Sequence, residues 1–371
     1  MATAILSATA LQRINLLVQQ AWTPNQRDID QNAQDTTTID TLLARQNSIG
    51  KMLVEEITDP NKDKDVRVWW NDFCGQEAED CASGGGYDAS CGNLTGNPSQ
   101  VDYKDYAVTQ CLQKKFKIQQ QTFKGSFMSI EQNLLDNSKQ AIRQLLNALN
   151  KKAIIFLQAN AGLNKGGQYP VNGSDQYQIP ASVFAQENTR VYTNILYDAA
   201  KSRISNPFVL DYGNLWHMNM NAKFDQGNAE GKGNAIRAIL FNVIEDIQGG
   251  AQVPAAANST FVVAPYAYAF VNKSYYRKRE VLNNIVSFSG STPVYDEASG
   301  KWKWYITIPG YDITVDVLMQ RVCVDAKKDI YEWYFQYTLW YDFLLNPSGC
   351  DNGSGDAVNG IIEYVKTGAS S

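Results

Sequence analysis

The stretch from Phe127 to Ala161 constrains the fold most, because it contains neither glycine nor proline. Its apolar residues recur at helical spacing and form one broad stripe. The stripe consists of Leu134, Leu135, Ala141, Ile142, Leu145, Leu146, Ala148, Leu149, Ile155, Phe156 and Leu163. About 35 residues at 1.5 Å each would span roughly 50 Å, more than the ~30 Å of a compact domain. The pattern predicts a long strut along which other elements pack; the alternative is a helical hairpin or a kink near Asn147–Lys152.

The last third of the chain has the alternation of β-strands. Apolar and polar residues alternate through Tyr311–Gln320, and aromatic residues occupy every second position of Ile330–Phe343 from Tyr331 on, with Leu339 as the one exception. Such period-two patterns predict two long strands, each with one buried face. Asp312 and Asp316 fall on the polar face of the first strand, which we expect to be solvated.

Other segments carry weaker signals. Helices are predicted at 1–22, Thr41–Glu56, Asn188–Ile204 and Lys273–Asn284, the last as a basic surface helix. Short strands are predicted at Val66–Trp70, Phe208–Leu210, Ile236–Ile247, Phe261–Val271 and Gly360–Val365. A break at Gly249–Asn258 separates two of these strands. Helices and strands in this mixture predict an α+β fold.

Two extended runs flank an unusual insertion. Val66–Trp70 and Tyr103–Phe123 are β-like, and the loop-rich segment 74–100 between them has three consecutive glycines. This order predicts a long two-stranded excursion. An isolated hairpin is not stable in water, so the excursion needs a partner surface. No other part of the chain obviously supplies one.

The charge balance argues against two classes of partner. The formal net charge is −5, so the overall composition does not favour binding to nucleic acid or to an anionic membrane. No run approaches ~18 consecutive apolar residues, and the N-terminus lacks the basic region of a signal peptide. These features predict a soluble protein that is made in a cytoplasm.

Motifs for catalysis, cofactors and metals are weak. His217 is the only histidine, which leaves few options for imidazole chemistry. Gly227–Gly233 imitates a phosphate loop but is one residue short and lacks the Ser or Thr after its lysine. Asp312 and Asp316 would lie roughly 13 Å apart, too far for a glycosidase pair. Asp351–Asp356 lacks the ligand spacing of a calcium loop. We therefore predict no catalytic, cofactor or metal site.

Six cysteines are present, and four of them fall within the excursion. These are Cys74, Cys81, Cys91 and Cys111. Their spacing does not match known zinc ribbons. Inert thiols are one interpretation. The other is at least one disulfide within 74–111, formed in an oxidising medium, because a cross-link would offset the chain entropy of a glycine-rich loop.

The order of these parts resembles the major capsid protein of tailed bacteriophages. Three phrases look like shell proteins from phages of Bacteroidetes hosts: NAEGKGNAIRAIL (228–240), NSTFVVAPYAYAFVNKSYY (258–276) and IPGYDITVDVLMQRVC (308–323). The resemblance covers nearly the whole chain, although that family is recognised by architecture and not by a catalytic signature.

The resemblance implies a particular division of the chain. Residues 1–55 would be an N-terminal arm and 56–125 the extended E-loop. Residues 126–224 would hold the spine helix and the first part of the P-domain, 225–300 the A-domain, and 301–371 the closing strands of the P-domain.

The resemblance also implies function and location. Copies would form hexamers and pentamers of an icosahedral capsid in the virion, assembled in the host cytoplasm. The shell would enclose double-stranded DNA without sequence-specific binding, without catalysis and without a membrane. Scaffolding, portal and decoration proteins would be further partners.

Large aromatic side chains dominate interfaces, so we expect Trp69, Trp70, Phe116 and Phe123 to make contacts between subunits. One alternative function is a phage tail or adaptor protein, which would also have protruding hairpins. Another is an extracellular carbohydrate-binding or hydrolytic protein, suggested by 8 Trp and 20 Tyr. Aromatic residues gathered in a groove would favour that second alternative.

Overall fold

A computed structural model of the chain describes most of its elements. The described residues are 8–21, 36–49, 52–57, 65–71, 101–119, 130–162, 169–174, 176–183, 194–195, 197–199, 207–213, 243–282, 285–325, 330–346, 350–351, 357–358 and 360–368. Within these ranges the fold is α+β. None of the described helices is long and apolar enough to cross a lipid bilayer.

The helices and strands are numbered in chain order. The helices whose bounds the structure describes are α1 Ala8–Ala21, α2 Thr37–Ile49, α3 Ile130–Ala159 and α4 Ile247–Gln252. The first nine strands are β1 Met52–Glu56, β2 Asp65–Asn71, β3 Val101–Ala107, β4 Gln110–Gln119, β5 Tyr177–Pro180, β6 Phe208–Asp211, β7 Val243–Glu245, β8 Ser259–Val263 and β9 Tyr268–Lys273. The others are β10 Lys278–Leu282, β11 Ile285–Ser289, β12 Val294–Asp296, β13 Lys301–Ile308, β14 Ile313–Asp325, β15 Ile330–Leu345, β16 Cys350–Asp351, β17 Ala357–Val358 and β18 Ile361–Thr367.

The predicted strut is confirmed as one continuous helix. Helix α3 runs for 30 residues without interruption, about 45 Å at the helical rise. Leu149 near its middle is completely buried, and neither a hairpin nor a chain reversal occurs near Asn147–Lys152. The strict seven-residue spacing drifts by ~20° per heptad on a straight helix. Toward the end of α3, Ile155 has therefore rotated out of the stripe and is 46% exposed.

A large sheet provides the surface on which α3 lies. Its order is β12-β13-β14-β15-β4, and all of these neighbours are antiparallel. The C-terminal part of β15 also pairs with β9. Trp340 and Tyr341 therefore have a partner on β4 at one edge and a partner on β9 at the other. One face of the sheet packs against α3, where the Tyr337 hydroxyl lies 2.7 Å from the Ser138 hydroxyl. Both predicted strands are confirmed, and in β15 the predicted alternate residues from Trp333 to Tyr341 are buried. In β14 the prediction of a single buried face is wrong, because both faces are buried from Ile313 to Val317.

A second, five-stranded sheet extends the same core. Its order is β5-β18-β8-β6-β7, with parallel pairs β5–β18 and β6–β7 and antiparallel pairs around β8. Its inner residues, including Phe208, Phe261 and Tyr364, are fully buried in the cluster that also contains the stripe of α3. The helix therefore joins both sheets into one core.

A buried polar cluster fixes the helices relative to one another. The Asp246 carboxylate caps α4 by accepting the Gly249 amide proton at 2.7 Å. It also accepts the backbone N–H and the hydroxyl of Thr38 at 3.1 and 2.5 Å. The Asn150 amide oxygen accepts the N–H of Ile39 at 2.9 Å. The cluster thus links α2, α3 and α4.

Glycine is required beside this carboxylate. A Cβ at Gly249 would lie 2.5 Å from an Asp246 oxygen and 2.8 Å from Ile154 Cδ1. Such contacts are much shorter than van der Waals distances, so a side chain here would displace the cap or α3. The segment Gly249–Asn258, predicted as a break, contains most of α4 and a 3₁₀ turn at Pro254–Ala256.

Several predicted elements are wrong in type or extent. Thr41–Glu56 is not one helix, since α2 ends at Ile49 and β1 follows. Ile236–Ile247 contains only the short β7 within its described part, because Asp246 starts a helix there. Phe261–Val271 is two strands, β8 and β9, with a turn at Ala264–Ala267 between them.

The predicted basic helix at Lys273–Asn284 is also wrong. Strand β10 pairs antiparallel with β11, from Lys278 opposite Ser289 to Leu282 opposite Ile285. The sequence carries a hairpin signal at this point, because only Asn283 and Asn284 separate the two strands and asparagine favours tight turns.

The stability of the long helix gives a direct test of this packing. Replacing Leu149 with alanine should lower the free energy of unfolding by ~2–5 kcal/mol, because a fully buried side chain leaves a cavity. Chemical denaturation measures the loss. The matched control is Ile155→Ala on the same helix, which should cost less than ~0.5 kcal/mol since that side chain is exposed. Equal losses for the two variants would contradict the burial of the stripe.

Candidate interaction surface

The prediction of a two-stranded excursion is wrong, because β1, which precedes both predicted runs, joins β2 and β3 in a three-stranded antiparallel sheet of order β1-β2-β3. The Val66–Trp70 strand is confirmed as part of β2. Residues 72–100, between β2 and β3, lie outside the described residues. The second half of the predicted run, Tyr103–Phe123, contributes β4 to the large sheet instead.

The inner face of this small sheet packs against other strands of the same chain. Val66 and Val68 are fully buried against Ala269, Val271 and Leu344 of β9 and β15. The expectation that no other part of the chain supports the excursion is therefore wrong. The missed signal is the apolar run Tyr268–Val271 of β9, whose alternate residues belong to two different hydrophobic clusters.

Polar contacts fix the small sheet at its base. The Lys273 ammonium donates to the Asp65 carbonyl at 2.9 Å, and the Tyr275 hydroxyl donates to the Val108 carbonyl at 2.9 Å. The Arg277 guanidinium lies 3.5 Å from the Glu56 carboxylate. All three donors come from the end of β9 and the turn after it, so this turn positions the sheet.

Asp316, the fourth residue of β14, holds that turn. Its carboxylate accepts hydrogen bonds from the Ser274 hydroxyl and from the Tyr275 backbone N–H, the latter at 2.9 Å. The prediction that Asp316 is solvated is wrong, because the residue is only 4% exposed. Burial raises the pKa of Asp316 to about 6. Asp312, by contrast, is exposed in the turn before β14.

Gly290 completes the base of the neighbouring hairpin. It has a φ of 103°, and a Cβ at this position would lie 2.1 Å from the Tyr276 carbonyl oxygen. Only glycine allows β11 to end this close to the turn that Asp316 holds.

The outer face of the small sheet carries an exposed apolar row. Leu53, Trp69 and Tyr103 are directly opposite one another on the three strands, so their side chains share a face. Leu53 is 62% and Tyr103 53% exposed, and the rings of Trp69 and Tyr103 are 4.6 Å apart. We call these three residues the apolar row.

A charged row runs beside the apolar row. Arg67 lies opposite Glu55 on one side and Asp105 on the other. Its guanidinium is 2.8 Å from the Asp105 carboxylate and stands 4.5 Å from the centre of the Tyr103 ring. The arginine therefore orders the tyrosine, and the outer face presents aromatic, aliphatic and ionic groups together.

The predicted contact residues are not brought together. Trp69 belongs to the apolar row, whereas Trp70 packs on the inner face of the same sheet. Phe116 stacks on Phe335 of the large sheet at 5.1 Å, and Phe123 lies outside the described residues. Leu53 and Tyr103 were not predicted. Their place beside Trp69 follows from the strand register. The sequence alone does not define that register when a strand follows a long insertion.

The cysteine interpretation stays open. Cys111 on β4 and Cys323 on β14 are free and exposed, while Cys74, Cys81 and Cys91 lie outside the described residues. The disulfide within 74–111 stays a prediction, which mass spectrometry of alkylated, unreduced protein would test.

The weak motifs have a similar status. His217, Gly227–Gly233 and 352–356 lie outside the described residues, so their interpretation is unchanged. Within the described part of the chain, no group of three or more His, Cys, Asp or Glu side chains could hold a metal ion.

No family model matches the chain, and no curated protein matches it. Among solved structures it is similar to the capsid structure of the cyanophage P-SCSP1u, with 11% identity, a TM-score of 0.40, and coverage of 85% of this chain and 86% of that one. It is also similar to a chain of the mature capsid of bacteriophage PhiM1, with 7% identity, a TM-score of 0.37, and coverage of 83% of each chain. A third similar structure is the capsid structure of Staphylococcus phage Andhra, with 9% identity, a TM-score of 0.36, and coverage of 85% of this chain and 86% of that one. At these scores the function must be inferred from the geometry of the chain itself.

The raised pKa of Asp316 gives a prediction with a defined sign. The Asp316 carboxyl group binds its proton more tightly in the folded state than in the unfolded chain, where its pKa is 3.8. The contribution of this carboxyl group to stability is therefore largest below about pH 4 and is lost as the pH rises through about 6. The difference in free energy of unfolding between the native chain and Asp316→Asn should fall by up to ~3 kcal/mol across that range.

Denaturant titrations at pH 4, 5, 6 and 7 measure this difference, and the subtraction removes the effect of carboxylates that both proteins share. Asp312→Asn is the matched control, since it changes an exposed aspartate four positions away. A difference for Asp316→Asn that is constant or grows with pH would contradict the assignment.

Proposed function

We propose that this chain is the structural subunit of an icosahedral capsid of the kind built by tailed bacteriophages. Copies would assemble into hexamers and pentamers that enclose double-stranded DNA. The single observation that carries the proposal is the apolar row of Leu53, Trp69 and Tyr103, exposed on a sheet whose other face is anchored in the core. The proposal assigns no catalytic role to the chain.

The energetics of the outer face suit a contact between subunits. Tryptophan, tyrosine and arginine are enriched among the residues that contribute most binding energy at interfaces. The apolar row contains the first two, and Arg67 stands over one of its rings. The sheet is held by buried valines and by the Lys273, Tyr275 and Arg277 contacts, so docking a partner would order little additional chain.

The architecture supports the same proposal. In the proposed division, β2 and β3 belong to the E-loop (56–125), α3 is the spine helix, and β13 to β15 of the large sheet belong to the closing part of the P-domain (301–371). A continuous helix of 30 residues packed on a long sheet gives a rigid body. Shells need such bodies, because small errors in contact angle accumulate around a closed surface.

The charge balance fits the enclosure of DNA. Each contact between a lysine or arginine and a phosphate adds affinity, and an excess of such contacts would retain the DNA. A formal net charge of −5 favours a container over a protein that binds DNA tightly. Location in the virion after assembly in the host cytoplasm, and scaffolding, portal and decoration proteins as partners, belong to the same proposal.

Removing the apolar row should block assembly and leave the fold intact. In Leu53→Ser/Tyr103→Ser the protein concentration needed for assembly should rise at least ~tenfold, because a residue of this kind contributes ~2 kcal/mol or more. Sedimentation velocity and negative-stain microscopy measure assembly, and circular dichroism checks folding. Trp70 is not a suitable target, since its loss would disturb the inner face of the sheet.

The control is Leu16→Ser/Tyr197→Ser, which changes the same residue types at similar exposure, 58% each. It should assemble like the native chain. The proposal would be wrong if the native chain stayed monomeric at every concentration. Open tubes or rings without closed shells would favour a tail or adaptor protein instead.

A further inference from the structure

The hairpin formed by β10 and β11 has no third strand in the described structure. Its two strands pair with each other and with no other described strand. The carbonyl of Gly290, directly after β11, accepts the Tyr305 N–H at 3.1 Å, so the hairpin leaves the large sheet beside β13. An isolated two-stranded hairpin is only marginally stable in water. We therefore expect a further strand at one of its edges.

The two edges of this hairpin differ in charge. Strand β10 has the sequence KREVL, with three charged residues. Charged residues on an edge strand oppose pairing with another chain. Strand β11 has the sequence IVSFS, with no charge, and its residues other than serine are β-branched or aromatic. Such residues favour strands, so β11 is the edge that is suited to accept a partner strand.

The backbone pattern identifies the groups of β11 that face outward. A two-residue turn places a hydrogen bond between the Leu282 carbonyl and the Ile285 N–H, which flank the turn as register partners. Pairs that are hydrogen-bonded alternate with pairs that are not. Ser287 is therefore bonded to β10. The N–H and C=O groups of Val286 and Phe288 point to the other side, away from β10.

The Phe288 side chain provides exposed apolar area at this edge. Phe288 is 45% exposed, and the Arg277 guanidinium lies 3.7 Å from the centre of its ring. The same guanidinium lies 3.5 Å from the Glu56 carboxylate of the small sheet. The cation that covers one face of the ring is therefore held in place from two sides, which orders the ring before a partner binds.

We propose that β11 pairs with β11 of a second copy of this chain, antiparallel and about a twofold axis. The inference rests on the proposed self-assembly and adds a contact that joins the copies. A twofold axis in an antiparallel pair requires one residue to lie opposite itself. Ser287 is the middle residue of β11, so centring on it pairs all five residues. Val286 then lies opposite Phe288 of the second copy, where their outward groups exchange hydrogen bonds and an aromatic residue meets a β-branched one.

Symmetry assigns this contact to the boundary between capsomers. Copies within one hexamer or pentamer are related by sixfold or fivefold rotation, so their contacts join two different surfaces. A contact in which the same residues meet from both sides requires a twofold axis, and it therefore joins two neighbouring capsomers. Strand β10 is not suited to this contact, because its middle residue, Glu280, would lie opposite its own charge.

Cysteine cross-linking tests the pairing and its register. In the proposed pair the Cα atoms of the two Ser287 residues are ~4.5 Å apart, within the roughly 4.4–6.8 Å of a disulfide. Mild oxidation of assembled Ser287→Cys should therefore link most subunits through residue 287, as located by mass spectrometry. The matched control is Ser289→Cys, which should give no link through residue 289, because those Cα atoms would be roughly 14 Å apart.

A charge at the twofold axis tests the role of the contact. Ser287→Lys would place two ammonium groups opposite each other, whereas within its own hairpin this residue lies opposite Glu280, so the hairpin should be retained. Negative-stain microscopy should show separate capsomers and a loss of closed shells at a concentration where the native chain assembles completely. The neutral control Ser287→Thr should form shells.

The outcomes separate this inference from the proposed function. Shells without a link through residue 287, an equal link through residue 289, or normal shells from Ser287→Lys would overturn the pairing, while the native shells still support the proposed function. If the native chain forms no shells but Ser287→Cys gives the specific link in solution, the pairing stands and the proposed function fails. Absence of both the shells and the link would overturn both.

Discussion

The buried carboxylate of Asp246 is the interaction on which much of the fold depends. A carboxylate is costly to bury unless hydrogen bonds replace its water. Asp246 meets this requirement by accepting bonds from α2 and from the first turn of α4, while Asn150 on α3 binds the backbone of α2. These bonds specify one arrangement of the three helices. The hydrophobic stripe of α3 supplies burial, but similar burial is compatible with many rotations of a helix.

A second buried carboxylate, that of Asp316, fixes the arrangement of another part of the molecule. Asp316 holds the turn after β9, and that turn donates hydrogen bonds to the base of the small sheet. The core of the molecule therefore determines the direction of the exposed apolar row. This connection between a buried group and an exposed surface is what a shell subunit would need, because contacts between many copies require a fixed angle.

The sequence predicted those elements whose signal is local and repeated. The stripe of α3 and the alternation in β14 and β15 extend over many residues, so periodicity identified all three. It failed at Lys273–Asn284, where a short charged strand pairs only with its immediate neighbour. It also failed for Asp316, because alternation places a residue on a face but does not show whether another segment covers that face. Ser274 and Tyr275 cover the face of β14 on which Asp316 lies.

The apolar row shows the same limit at the candidate site. Trp69 was predicted as a contact residue from its size alone, and Tyr103 and Leu53 were missed because their position depends on strand register. Register across an insertion of 29 residues between β2 and β3 is a tertiary property. Trp70 and Phe116 were chosen by the same criterion of size, and their contacts with other copies stay a prediction.

Electron cryomicroscopy of particles formed by the purified full-length chain would test the central claim most directly. The account predicts closed icosahedral shells in which a neighbouring copy covers Leu53, Trp69 and Tyr103. It would be contradicted if the chain formed no shells under any assembly condition, or if those three side chains faced solvent in every subunit of the particle.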